Sequence, residues 1–89
     1  MECNWHPYPK ETPPKEGVYI TTVHIPGATK NSIRLCSYSN NLYSLDEYTF
    51  TKEDGSGFYN YDSEYGYYPE LNVIAWDYKP EPYEGEENV

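Results

Sequence analysis

Aliphatic side chains are scarce in this sequence. The 89 residues include four Val, four Ile, four Leu and one Met. No apolar run approaches the ~18 residues that a membrane-spanning helix needs. Cations are scarce too, with six Lys and Arg against fifteen Asp and Glu, a formal net charge of −9. Such a surface repels nucleic acid and anionic lipid alike, so direct contact with either is not expected. Histidine is limited to His6 and His24, and cysteine to Cys3 and Cys36. No pair among these four has C-x-x-C or H-x-x-x-H spacing, so a zinc site is not expected. A Cys3–Cys36 disulfide stays open on sequence grounds, but no secretory signal precedes it; two reduced thiols and a cytoplasmic location are the expectation.

Catalytic patterns are missing as well. Neither glycine-rich phosphate motif occurs, and no Ser or Cys has the His and acid that would activate it. The stretch Glu53-Asp54-Gly55-Ser56-Gly57 lacks the alternating ligands of a calcium loop. Asp46/Glu47 and Asp62/Glu64 form carboxylate pairs, yet nothing around them shapes a substrate cleft. The expectation is a protein without enzymatic activity and without a cofactor.

What is abundant is aromatic and acidic. Twelve tyrosines raise the aromatic share to 18%. Tyr must therefore supply much of the core, with an apolar ring and a hydroxyl that stays wet or finds a partner. The charge is also uneven. Residues 1–45 carry three acids and four bases, a net of +1, while residues 46–89 carry twelve acids and two bases, a net of −10. The acidic half holds eight of the twelve tyrosines.

Read along the chain, residues 1–16 hold Pro7, Pro9, Pro13 and Pro14 and form an extended arm whose Trp5 folds back on the domain. Residues 17–83 form one β-rich domain and residues 84–89 an acidic tail without order. Gly17 opens a strand through Ile25, rich in β-branched residues, and Pro26-Gly27 is turn chemistry. A second strand spans Ser32–Tyr38, and Ser39-Asn40-Asn41 reads as a tight hairpin turn. A third strand runs from Leu42 towards Phe50. Residues 52–57 are a loop, and Phe58–Tyr61 is a short aromatic strand. Asp62–Glu70 is irregular, with a helical turn at Asp62–Tyr65 as an option. Val73-Ile74-Ala75-Trp76 is the most hydrophobic run and reads as a buried central strand. The fold class is all-β, or β-rich α+β: a small antiparallel sheet or partly open barrel of four to five strands with a long irregular loop.

Trp5, then Pro13-Pro14-Lys15-Glu16-Gly17-Val18-Tyr19-Ile20-Thr21-Thr22, then Phe58–Tyr67, Val73-Ile74-Ala75-Trp76 and Pro80-Glu81-Pro82-Tyr83 form a pattern. On these residues the chain resembles a family of short bacteriophage and prophage proteins of unknown function. Members begin with Trp and a Pro-rich segment before a strand of the form G-x-Y-L-V-T, and end in V-x-A-W-M-P-L-P-E-P. Here Asp77-Tyr78-Lys79 stands in place of Met-Pro-Leu. The resemblance implies a phage accessory protein acting in a host bacterial cytoplasm, and carries no site with it.

The expected site is a recognition patch in the acidic half: Asp46, Glu47, Glu53, Asp54, Tyr59, Tyr61, Asp62, Glu64, Tyr65 and Glu70. Its acids select Arg and Lys on a partner, and its tyrosines add contact area at low entropic cost. The expected function is a non-enzymatic inhibitor that binds a basic surface of a bacterial defence or nucleic-acid-processing protein, a nucleic-acid mimic of the anti-CRISPR kind. One alternative is an oligomeric sponge for a signalling nucleotide, with Tyr rings on the base and Lys30 and Arg34 on phosphate. Another is a phage structural or assembly protein. An unprotected edge strand pairing across a two-fold axis would make a homodimer.

Overall fold

The structure, a computed structural model, describes residues 4–79. It is all-β. Strands β1 (His6–Pro7), β2 (Gly17–Val23), β3 (Ser32–Ser39), β4 (Gly57–Asp62), β5 (Gly66–Pro69) and β6 (Val73–Tyr78) form one antiparallel sheet in the order β1-β6-β2-β3-β4-β5. The sequence suggested four to five strands; the two additions are β1 and β5. The acidic tail at 84–89 lies outside the described residues, as do Cys3 and Pro80–Tyr83.

Strand alternation sorts the side chains into two faces. Tyr19, Thr21 and Val23 of β2 are buried, while Val18 is exposed and Ile20 and Thr22 are half-buried. Register carries the buried set across the sheet: Tyr19 lies opposite Cys36 and Tyr78, and Thr21 opposite Arg34 and Trp76. Tyr38 lies opposite Phe58. The core is accordingly Tyr19, Val23, Cys36, Tyr38, Phe58, Val73 and Trp76, with Tyr8 and Ile25 against it. Aromatic rings do much of the filling, as the shortage of aliphatics requires. Tyr8, Tyr19 and Tyr38 all meet Phe58 edge-on, at 4.9, 6.4 and 5.1 Å between centroids.

The sheet is open by its hydrogen bonds, but it is not flat. Only residues 70–72 join β5 to β6, although β4, β3 and β2 lie between these two strands. Four strand spacings in a flat sheet amount to about 19 Å. Four Cα steps reach at most about 14 Å. The sheet therefore coils around its buried face, and the short link closes over that face. Glu70 N–H donates to the Phe58 carbonyl at 3.0 Å on one side, and His24 N–H donates to the Asn72 carbonyl at 2.9 Å on the other.

Several local expectations need correction. The N-terminal arm is part of the sheet: β1 pairs with β6, Tyr8 N–H donates to the Ile74 carbonyl at 2.9 Å, and Pro13 is buried. No strand runs from Leu42 to Phe50. Asp46 accepts from Tyr48 N–H and from the Thr49 hydroxyl, both at 2.9 Å, and this side-chain turn displaces a ladder. Leu42–Ser44 and Lys52–Asp54 form 3-10 turns instead. Ser39-Asn40-Asn41 makes no hairpin, because the Glu16 carboxylate draws in Asn40 N–H at 2.8 Å and none of these three residues takes positive φ. Residues 62–70 are not irregular. Asp62 accepts from Glu64 and Tyr65 N–H at 2.7 and 3.0 Å, Gly66 turns the chain at φ +88°, and β5 returns along β4. β6 is buried on one face only, since Ile74 is 41% exposed.

Candidate functional site

The ten residues singled out from sequence do not form one platform. Tyr59 and Tyr61 lie on the outer face of β4, opposite to Phe58 and Asn60. Asp62, Glu64 and Tyr65 occupy the β4–β5 hairpin, at the far end of β4. Glu70 is turned inward. Its side chain is only 7% exposed, and it accepts from Asn60 at 2.7 Å and pairs with Arg34 at 3.4 Å. Asp46, Glu47, Glu53 and Asp54 stay together on the connection from β3 to β4, residues 40–56.

That connection is braced by its own groups. Asp54 accepts from Thr51 N–H at 2.7 Å in a capping box, and Leu42 N–H donates to the Gly55 carbonyl at 2.8 Å, tying the two ends. Leu42 and Phe50 are its buried anchors. Gly57 follows, where a Cβ would come within 3.2 Å of Leu42. Lys52 is the sole cation on residues 40–56, and it lies 5.7 Å from the Tyr43 ring centroid. Among the described residues the ion pair between charged side chains is Arg34–Glu70, and His6 Nδ1 lies 2.9 Å from the Glu11 carboxylate. Among the described residues, none of the four carboxylates on the connection is neutralised by an ion pair.

Where the connection meets the sheet there is a cleft of about 350 Å³. Its apolar lining includes Tyr8, Leu42, Phe50, Phe58 and Leu71, and its polar lining includes Asp54, Ser56 and Glu70. Phe50 and Phe58 are almost fully buried and act as floor, whereas Leu71 is 82% exposed. Aromatic rings beside the Asp54 carboxylate suit a cation on an apolar stem: the stem packs on carbon and the head meets Asp54, Glu70 being already paired with Arg34. Sequence reasoning found Asp54 and Glu70 but missed Tyr8, which lies 49 positions before Gly57. Its placement follows from β1 pairing with β6, and a two-residue strand carries no periodic signal.

Deeper on the same face, Thr21, Cys36, Asn60, Glu70 and Arg34 form a chain of polar contacts. Thr21 donates its hydroxyl proton to the Arg34 carbonyl at 2.9 Å, so Cys36 S–H is the donor across the 3.2 Å Thr21–Cys36 contact. Asn60 donates to the Cys36 sulfur at 3.6 Å. Burial pushes the Cys36 thiol up from its ordinary value, outweighing the contacts with Thr21 and Asn60, which act the other way. A fully buried, protonated thiol is a packing group and not a nucleophile. The two imidazoles are spent elsewhere. His6 stacks on Trp76 at 4.4 Å and meets Glu11 at 2.9 Å, and His24 meets Asn31 at 3.0 Å.

No helix among the described residues is long and apolar enough to cross a membrane. Comparison with protein-family models, with curated proteins and with solved structures finds no match for this chain.

Proposed function

We propose that the protein is a non-enzymatic binding module for a cationic protein surface. Its contact is the acidic connection at residues 40–56 together with the adjoining cleft, and an Arg or Lys side chain of the partner enters that cleft. One observation carries the reading: Asp46, Glu47, Glu53 and Asp54 share a braced segment in which no ion pair among the described residues neutralises them, and Asp54 lines an aromatic-floored cleft beside it. Electrostatic steering speeds such encounters and weakens as salt is added. The resemblance to phage proteins points to the kind of partner: a bacterial defence or nucleic-acid-processing enzyme, met in the host cytoplasm and blocked stoichiometrically. The carboxylates would then stand where that enzyme expects phosphates. The nucleotide-sponge reading has less support, because the Arg34 guanidinium it requires already pairs with Glu70.

The test uses acids that brace nothing. Glu47 and Glu53 are exposed, and neither side chain is hydrogen-bonded among the described residues. The double variant Glu47→Lys/Glu53→Lys is expected to lower capture of the partner from bacterial lysate by at least about tenfold at low salt. Glu64→Lys, on the opposite end of β4, is expected to leave capture unchanged. Equal capture by the double variant and the wild type contradicts the proposal.

A further inference from the structure

The cleft beside the acidic connection offers more hydrogen-bond acceptors than free charge. Asp54 is exposed, and its Oδ2 accepts from Thr51 N–H at 2.7 Å, which leaves Oδ1 without a partner among the described residues. Glu70 is placed differently, with a side chain only 7% exposed. Arg34 at 3.4 Å and Asn60 at 2.7 Å both donate to the same oxygen, Oε2. Oε1 has no partner among the described residues. No side-chain polar atom among them is both sealed from solvent and unpartnered. Oε1 therefore opens on the space that Glu70 lines, and that space is the cleft.

The walls complete the setting. Tyr8 is half-buried, and its ring meets Phe58 edge-on at 4.9 Å. Its hydroxyl stands 3.8 Å from where a Cβ on Gly57 would be, so the absence of a side chain there keeps the floor open. Ser56 adds a second hydroxyl to the lining.

This arrangement tells two cations apart. Arg34 offsets the charge of Glu70, so Asp54 supplies the unpaired charge among the described lining residues. A Lys ammonium is a strongly hydrated point charge. It is satisfied at the exposed Asp54, and it gains little by shedding water for a carboxylate that already holds a cation. An Arg guanidinium is flat, more weakly hydrated, and carries five donors in a fixed fork. It lays one face on an aromatic ring and donates along its edge to two separate acceptors. Glu70 then bridges two guanidinium groups, one on each oxygen.

We propose that the cleft selects arginine over lysine, with Asp54 Oδ1 and Glu70 Oε1 accepting from one guanidinium of the partner. This assignment rests on the acidic end being the contact for a cationic protein surface, and it names the side chain which that surface presents.

Two peptides of equal length and charge, one alternating Gly with Arg and one Gly with Lys, are titrated into the nitrogen-15-labelled protein. Shifts at Tyr8, Gly57 and Leu71 report the cleft. The Arg peptide is expected to bind about fivefold more tightly, the gain from one net hydrogen bond. Glu70→Gln isolates the cause. Arg34 and Asn60 both donate inward, so the Gln carbonyl takes the place of Oε2 and its N–H group turns to the cleft. A donor there opposes the fork, and the two peptides are expected to bind this variant about equally, with circular dichroism unchanged. Equal binding of both peptides by the wild type, with shifts in the cleft, overturns the arginine assignment and leaves the cationic-surface reading standing. Binding of neither peptide overturns both. A folded Glu70→Gln variant that keeps the arginine preference overturns the role given to Oε1.

Discussion

Trp76→Ala is expected to remove about 3–5 kcal/mol of stability, the usual cost of deleting a buried indole. A domain of this size has a total of order 5–15 kcal/mol, so the loss is a large fraction of its stability. The size of the effect follows from how much meets at Trp76. The residue is 2% exposed, its ring stacks on His6 at 4.4 Å, and it meets Tyr19 and Tyr78 edge-on at 5.3 and 5.4 Å. Its indole N–H donates to the Glu11 carbonyl at 2.8 Å, so the same side chain pins the N-terminal segment to the sheet. Trp76→Phe keeps a ring and loses that donor; about 1–2 kcal/mol is expected. Urea unfolding followed by far-ultraviolet circular dichroism measures both. A Trp76→Ala cost below about 1 kcal/mol would mean that this ring does not organise the core.

Glu70→Ala is the second large effect, expected at about 2–3 kcal/mol. The carboxylate accepts from Asn60 and pairs with Arg34, and Asn60 in turn donates to Cys36. Truncation leaves a half-buried amide and a guanidinium without an acceptor, and unmet donors cost more than met ones contribute. Arg34 is 45% exposed, so water recovers part of the loss and holds the figure below that of a fully buried pair. Glu70→Gln preserves shape and an acceptor and should cost about 1 kcal/mol or less. Equal losses for the two variants in urea would show that charge, and not the acceptor, holds the link from β5 to β6.

Legibility in the sequence tracked local signal. β2 was readable because it is rich in β-branched residues, β3 because Ile33 and Leu35 alternate with Arg34 and Cys36, and the Pro26-Gly27 turn because Gly27 alone takes φ +86° there. β5 was hidden because Gly66 and Pro69 bound it and read as breakers of regular structure. Tyr67 packs across the ladder on Tyr59 and Tyr61, at 5.8 and 4.9 Å. The 42–50 segment misled because Leu42 and Phe50 read as strand residues, whereas the Asp46 turn decides the backbone between them. Val73–Trp76 misled in a different way: a continuous apolar run suggested burial on both faces, but one of those faces is left to water.

The acidic patch divided for a related reason. A strand throws neighbouring residues to opposite faces, so Tyr59 and Tyr61 were never on the side of Asn60 and its partner Glu70. Sequence distance also hid the cleft. Tyr8 reaches it through β1, Glu70 through the link that closes the coil, and neither relation is local.

The most direct test of the central claim is a nitrogen-15 chemical-shift titration with an arginine-rich peptide of about ten residues, at low and at moderate salt. Shifts confined to residues 40–57, Tyr8 and residues 70–71, and reduced by salt, are the expected result. Shifts of equal size at the Asp62–Tyr65 hairpin and across the outer face, or none at millimolar peptide, would contradict it.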